Sequence, residues 1–78
     1  MRAKQARLVV SFHTTNEAMA MQQAARSDRL KGRLVPIPRQ LSAGCGLAWS
    51  EPAANEMALQ RTIENHGLEY EHITALDL

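Results

Sequence analysis

Apolar residues recur along the chain in a pattern that switches between strand-like and helix-like spacing. Residues 7–12, RLVVSF, form a short run rich in β-branched side chains, which predicts a buried strand. Residues 13–32 are rich in Ala, Met and Gln and predict a helix. Thr14 and Glu17 form a capping-box pattern at its start, and Gly32 is the expected stop at its end.

The middle of the chain predicts two short strands joined by a loop. Residues 33–37, RLVPI, resume strand character. Pro36 lacks the N–H that a ladder requires, so this strand lies on an edge or ends there. Residues 38–46 are rich in Pro, Ser and Gly and predict an irregular connection. Residues 46–50, GLAWS, predict a second short strand.

The C-terminal third predicts a helix followed by a strand. Over residues 51–67, Pro52 suits the first helical position, and Gly67 suits the residue just past the last turn. Leu68 fits the hydrophobic contact of a Schellman stop. Residues 69–76, EYEHITAL, alternate between two sets of side chains and predict the last strand.

The resulting element order is β-α-β-β-α-β. It predicts an α+β fold of the ferredoxin-like type, a four-stranded antiparallel sheet with both helices on one face. Right-handed crossovers make this the default topology. The end of the first strand and the connection after the second strand then meet at one end of the sheet. We therefore expect His13, Thr14 and Thr15 to lie near the loop that contains Cys45, although they are distant in sequence.

Composition narrows the class of protein. The chain has 78 residues, of which 45% are hydrophobic and 22% charged, as expected for a single domain over residues 1–78. We expect residues 1–6 to form a flexible N-terminal arm, and the apolar run after it is too short for a secretory signal. The net charge of +1 and the aromatic content of 4% argue against a nucleic-acid partner, and no segment suits a membrane span.

One loop points to chemistry, because it holds the only cysteine, Cys45. The chain cannot form an internal disulfide, so we expect a reducing, cytoplasmic location. Gly44 and Gly46 flank the cysteine and have no side chains to shield its sulfur. Successive glycine N–H groups, the N-terminus of the first helix and Arg39 would each favour the thiolate, which is the form that attacks sulfur. His13 is the candidate proton acceptor.

Less specific interpretations stay open for the same residues. A lone cysteine often fills a turn as a small hydrophobe. Arg39 is by default a solvated surface charge, and Ser42 can start a turn without any further role. One cysteine and three scattered histidines lack the paired spacing of a zinc site, and no phosphate-binding loop is present. We therefore expect neither a metal nor a cofactor.

Three segments carry a resemblance to a known family. The first strand ends in Ser11 and Phe12, residues 34–48 read LVPIPRQLSAGCGLA, and residues 65–71 read NHGLEYE. Over about 8–71, nearly the whole domain, the chain resembles the small bacterial domains described as putative selenium/sulfur carrier protein-like. The Pro-Arg and Ser-x-x-Cys-Gly portions are the sharpest part of the match.

The resemblance implies that the Cys45 thiol carries zero-valent sulfur or selenium, as a persulfide or selenenylsulfide. Arg39, Ser42 and Gly46 then take positions of the family's motif beside it, with Gly44 inside the same segment. The departures from the usual pattern are at Ala43, Gly44 and Trp49.

Two functions from different classes follow. The first is a relay rather than an independent enzyme. It takes the atom from a donor, such as a cysteine-desulfurase-like protein, and passes it to an acceptor enzyme. The second is a non-catalytic ferredoxin-like interaction or regulatory module that acts through dimerisation. Removal of the Cys45 thiol abolishes the first function and leaves the second intact.

Overall fold

The computed structural model, which describes residues 5–41 and 44–78, contains the six elements in the predicted order. The strands are β1 (Ala6–Ser11), β2 (Arg33–Pro36), β3 (Leu47–Pro52) and β4 (His72–Asp77). The helices are α1 (Thr15–Ser27) and α2 (Glu56–His66), and a 3-10 turn spans Ala53–Asn55.

The four strands form one antiparallel sheet in the order β2-β3-β1-β4. In its centre, Val10 of β1 is paired with Trp49 of β3 on one side and with Ile73 of β4 on the other. β2 is an edge strand, as Pro36 predicted. Together with two helices on one face, this order confirms the ferredoxin-like α+β architecture.

A single apolar cluster lies between the sheet and the helices. Leu8 and Val10 of β1 face the helices, as does Phe12 just beyond the strand, because alternate strand residues share a face. Val10 and Phe12 are fully buried. The other buried members are Ala18, Met21 and Ala25 of α1, Trp49 of β3, and Leu59 and Ile63 of α2.

Helix α1 begins as the sequence predicts. Thr14 is the N-cap, and its Oγ1 accepts a hydrogen bond from the Glu17 N–H at 3.2 Å. The Glu17 carboxylate reaches back and accepts from the His13 N–H at 2.7 Å. These reciprocal bonds satisfy two backbone donors that the first turn leaves without a partner.

Helix α1 ends at Ser27, so the predicted stop at Gly32 is wrong. Arg29 adopts a left-handed conformation with φ of 58°, and the Leu30 N–H donates to the Ala25 carbonyl at 2.9 Å. This is a Schellman stop with an arginine at the position where glycine is usual. The expectation that a glycine ends the helix therefore identified the wrong residue.

Gly32 allows a close approach between backbones instead. A Cβ at this position would collide with the Ser50 carbonyl oxygen. It would also lie 2.5 Å from Glu51 Oε1 and 2.8 Å from Trp49 Nε1. The chain is held this close because the Gly32 N–H donates to Glu51 Oε1 at 3.1 Å. A side chain at position 32 is incompatible with this contact.

Glu51 is fully buried, and four uncharged donors surround its carboxylate. Its Oε1 accepts from the Gly32 N–H and, at 2.8 Å, from Trp49 Nε1. Its Oε2 accepts from the Lys31 N–H at 3.1 Å and from Asn55 Nδ2 at 2.7 Å. We call these five residues the Glu51 cluster. Burial of the carboxylate is tolerated because both oxygens are hydrogen-bonded.

The same cluster explains why the predicted start of the second helix is wrong. β3 continues through Glu51 to Pro52, whose ψ of 134° is extended, and α2 begins only at Glu56. Asn55 occupies the N-cap position, but its side chain makes no capping bond and donates to Glu51 instead. A side-chain hydrogen bond to the residue four positions earlier takes the place of the expected capping bond.

Helix α2 ends at the residue that the sequence predicts. Gly67 has φ of 60°, and the Leu68 N–H donates to the Ile63 carbonyl at 3.0 Å. Leu68 packs against the apolar core, which supplies the hydrophobic contact of the Schellman motif.

The first described residues are paired with β4. The Gln5 N–H donates to the Leu78 carbonyl, and the Leu78 N–H donates to the Gln5 carbonyl, both at 3.0 Å. β1 then begins at Ala6. The flexible arm predicted over residues 1–6 therefore excludes Gln5 and Ala6, and its remainder, residues 1–4, lies outside the described residues.

Candidate functional site: the Cys45 loop

The segment between β2 and β3, residues 37–46, carries the single cysteine, and we call it the Cys45 loop. The Leu41 N–H donates to the Pro38 carbonyl at 3.0 Å, which closes a turn. The Ile37 N–H donates to the Gly46 carbonyl at 2.9 Å. Because this second bond joins the two ends of the segment, the loop is anchored where it leaves and re-enters the sheet.

Cys45 is half-buried and packs against the edge of the apolar core. Its Sγ lies 3.4 Å from both the nitrogen and the carbonyl oxygen of Leu47; the N–H donates to the sulfur, and the thiol donates to the oxygen. The N–H bond serves either form of the sulfur, whereas the bond to the carbonyl requires the thiol proton. The sulfur is less open to water than the flanking glycines predict.

The two glycines beside Cys45 have different roles. A Cβ at Gly44 would lie 3.1 Å from the His13 carbonyl oxygen, so the missing side chain lets the loop lie against the end of β1. Gly46 has φ of 72°, a conformation that favours glycine, and no described residue other than its chain neighbours lies within 4 Å of the position of its absent Cβ. The loop thus contacts the backbone after β1, as the topology predicts, and is open on the Gly46 side.

The imidazole of His13 is paired with Glu17. Its Nδ1 lies 3.1 Å from Glu17 Oε1, and its side chain is 55% exposed. Burial raises the pKa of Glu17, but hydrogen bonds from the His13 N–H and imidazole outweigh this effect and hold that pKa below its ordinary value. His13 therefore adjoins the Cys45 loop through its backbone, while its side chain supports the start of α1.

The remaining motif residues are not seen in contact with the sulfur. Arg39 is exposed on the turn of the loop, and no hydrogen bond or ion pair joins it to another described residue. Ser42, together with Ala43, lies outside the described residues. The site that the structure describes consists of Cys45, its two glycines and the backbone of Leu47.

Glu71 lies at the same end of the sheet, and the sequence did not single it out. Its N–H donates to the Ser11 carbonyl at 2.7 Å, which places it beside the end of β1. Within residues 5–41 and 44–78, its Oε1 is the one buried side-chain nitrogen or oxygen without a hydrogen-bond partner. Strand alternation cannot reveal such an atom, because the alternation reports a face of the sheet and not the available donors.

The described part of the chain contains no group of three or more His, Cys, Asp or Glu side chains that would hold a metal ion. Neither of its helices has the length and apolar character needed to cross a membrane.

Comparison with known proteins assigns the chain to a family. The model of the family described as "Putative Se/S carrier protein-like" matches residues 7–75, which include both helices and the whole Cys45 loop. No curated protein matches the chain significantly, and no solved structure does so. The chain therefore belongs to the Se/S carrier protein-like family.

Proposed function

We propose that the protein holds zero-valent sulfur or selenium on Cys45 and relays it between two other proteins. The observation that carries this proposal is the position of the chain's only thiol. It lies half-buried in a glycine-flanked loop, within the matched range of a carrier family. A carrier needs a thiol that a partner can reach and that the folded domain protects when no partner is bound.

Loading is a thiol–persulfide exchange. The Cys45 thiol gives its proton to water, and the resulting thiolate attacks the outer sulfur of a donor persulfide. The new bond joins Cys45 Sγ to that sulfur, while the donor's S–S bond breaks and its thiolate leaves with the electron pair. The donor persulfide is thereby reduced to a thiol, and Cys45 is oxidised to a persulfide. Unloading repeats the exchange with an acceptor thiolate, and an outer selenium atom follows the same steps.

The contacts of the sulfur suit this cycle. The Leu47 N–H, 3.4 Å from Sγ, donates to the sulfur before and after loading, whereas the bond from the thiol to the Leu47 carbonyl is lost when the proton leaves. Loading therefore releases the sulfur from one of its two hydrogen bonds. The open side at Gly46 is the direction from which we expect a donor to approach.

The other predicted residues have supporting roles in this proposal. Arg39 offers an exposed positive charge to an incoming persulfide or to a partner. In this proposal the pair formed by His13 and Glu17 accepts the thiol proton through water; the His13 backbone lies next to Gly44, which supports this role. Ser42 belongs to the same motif segment. The partners are a cysteine-desulfurase-like donor and an acceptor enzyme, and a reducing compartment such as the cytoplasm keeps the thiol available.

The loading step is tested directly by intact-mass measurement. We expect the protein to gain one sulfur atom when it is incubated with a small-molecule persulfide, and the Cys45→Ser variant to gain none. Unchanged mass of the wild-type protein, with alkylation of Cys45 no faster than that of a cysteine peptide, would contradict the proposal. The non-catalytic interaction module would then be the better account.

Arg39 and Arg61 provide a matched pair for the role of the loop charge. Both arginines are exposed, but Arg61 lies on α2, away from the Cys45 loop. We expect Arg39→Gln to slow loading by a protein donor about two- to fivefold, which is the range for one exposed ion pair, and Arg61→Gln to leave the rate unchanged. Equal rates for both variants would remove Arg39 from the site.

A further inference from the structure

The sheet face opposite the helices carries a groove whose charged side chains are all basic. Val10 and Trp49 point into the core, so their strand neighbours Val9 and Ser50 point to this open face. Although no helix covers this face, Val9 is fully buried and Ser50 is only 4% exposed. The surrounding long side chains cover them and form the walls of a groove of about 860 Å³.

The groove has a cationic rim and an aliphatic wall. Arg7, Lys31 and Arg33 line it, and no Asp or Glu side chain is among the described residues that do so. Val35 and Pro36 of the edge strand line it as well. A ligand that fits this lining carries negative charges and alternates them with aliphatic groups.

Arg7 is already oriented for such a ligand. Its Nε donates to Ser50 Oγ at 2.9 Å, and its Nη2 donates to the Ser50 carbonyl at 3.1 Å. A guanidinium has five N–H donors in a rigid plane, so these two bonds fix its orientation and leave three donors for a carboxylate. Because the side chain is half-buried, little further conformational freedom is lost on binding.

The charges of the chain are segregated, although the net charge is only +1. Four of the eight residues from Arg26 to Arg33 are basic and one, Asp28, is acidic, and this segment runs from the end of α1 to the start of β2. Three acidic residues lie at the opposite edge, with Glu69 and Glu71 before β4 and Asp77 within it. A partner with acidic side chains is therefore attracted to the β2 side and repelled from the β4 side.

We infer that the groove docks an extended acidic segment of a partner protein, with carboxylates that alternate with aliphatic side chains. An extended segment fits because β2 is an outer strand and Arg33, Val35 and Pro36, spread along its length, line the groove. A polypeptide is favoured over a nucleic acid, because none of the described lining residues is aromatic and bases would have no side chain on which to stack.

This docking surface leads to the Cys45 loop. Pro38 and Gln40 line the groove and belong to the loop, and the Ile37 N–H is bonded to the Gly46 carbonyl. A partner anchored in the groove is therefore held beside the loop that contains the thiol. The identification of this partner as a sulfur donor or acceptor rests on the proposed function, whereas the binding itself does not.

The test uses the full chain labelled with ¹⁵N and a short capped peptide of alternating Glu and Val. We expect amide shifts at Arg7, Arg33 and Ser50, and weaker binding as the ionic strength rises. Arg33→Glu should weaken binding at least about fivefold relative to Arg61→Glu, because both arginines are exposed but only Arg33 lines the groove. Arg7→Gln should also weaken binding while the spectrum remains that of the folded chain.

Several results would overturn the inference: equal loss of affinity in the Arg61→Glu variant, shifts confined to the helices, or equal binding of a Lys-Val peptide. Tighter binding of an oligouridylate at the same amides, or peptide-independent dimerisation through the groove, would also overturn it. Cys45→Ser should bind the peptide like the wild type. Failure of sulfur loading with intact peptide binding would refute the carrier role alone, and the reverse pattern would refute the docking surface alone.

Discussion

The two ends of strand β3 differ in how deeply their key polar atoms are buried and in how many residues bind them. At one end, Glu51 is fully buried, and four donors from three separate segments hold both of its oxygens. At the other end, the Cys45 sulfur is half-buried, and a single residue, Leu47, makes both of its hydrogen bonds. Two of the four bonds to Glu51, from the Lys31 and Gly32 N–H groups, span 20 and 19 residues of sequence, whereas both bonds of the Cys45 sulfur span two residues.

This difference indicates a division of roles within a small domain. The core of so small a domain leaves only a small margin of stability. A buried carboxylate whose two oxygens accept hydrogen bonds from three segments fixes how those segments pack against one another. A reacting sulfur needs the opposite environment, because the bond from its thiol to the Leu47 carbonyl must be lost when the proton leaves. We therefore expect substitutions at the Glu51 cluster to change stability and substitutions at the Cys45 loop to change reactivity.

The largest loss of stability is expected for Gly32→Ala, which disrupts the Glu51 cluster at one end of β3. The added Cβ collides with the backbone at Ser50, so β3 or the 28–32 connection must move. We expect a loss of about 3 kcal/mol or more in the free energy of unfolding, measured by urea denaturation with Trp49 fluorescence.

Gly46→Ala, next to Cys45 at the other end of β3, is the matched control. A Cβ there meets no described residue beyond its chain neighbours within 4 Å, and its cost is that of a positive φ of 72°, about 1 to 2 kcal/mol. If the two substitutions lower the free energy of unfolding equally, the close backbone approach at Gly32 contributes nothing extra to stability. The proposed contrast between the two ends of β3 is then wrong.

A smaller loss is expected for Glu51→Gln, which keeps the shape of the side chain. The amide nitrogen cannot accept a hydrogen bond, so two of the four donors around this side chain lose their partner, at a cost of about 2 kcal/mol in unfolding free energy. Trp49 is the chain's single tryptophan and donates to Glu51 Oε1, so its emission should shift as well.

Sulfur loading of Cys45 in the same Glu51→Gln protein should proceed at the wild-type rate under folding conditions. Slower loading of a fully folded variant would show that the two ends are coupled.

The smallest effect concerns pH, and it compares the two ends of helix α1. Glu17, beside the Cys45 loop, has a pKa held below 4.5 by the bonds from His13, which outweigh the effect of burial. Asp28, at the other end, has a pKa held below 3.8 by hydrogen bonds from the Thr62 hydroxyl and the His66 imidazole. In both cases the unfolded chain binds protons first as the pH falls.

The stabilisation from these two carboxylates is therefore complete above about pH 5 and is lost as the pH falls through the lowered pKa values. We expect the melting temperature, measured at intervals of about one pH unit from pH 6 to pH 3, to fall less steeply for Glu17→Gln and Asp28→Asn than for the wild type. Parallel curves for all three proteins would contradict the roles assigned to these pairs.

Local rules predicted the elements well where the signal and the contact lie close together in sequence. Thr14 and Glu17 cap α1, and Gly67 and Leu68 end α2, because each motif is completed within a few residues. The sequence also located the thiol between its glycines. The sequence-based prediction was wrong at Gly32, where a close contact with β3, and not the end of a helix, requires a glycine.

The sequence by itself determined the order of the six elements and the family to which the chain belongs, because these depend on local periodicity and on motif residues. Only the tertiary structure decided that Glu51 is a buried centre, that Cys45 is half-buried, and that Arg7 and Arg33 share one groove. These properties depend on contacts between segments that are distant in the chain, and such contacts form only when the strands adopt their register.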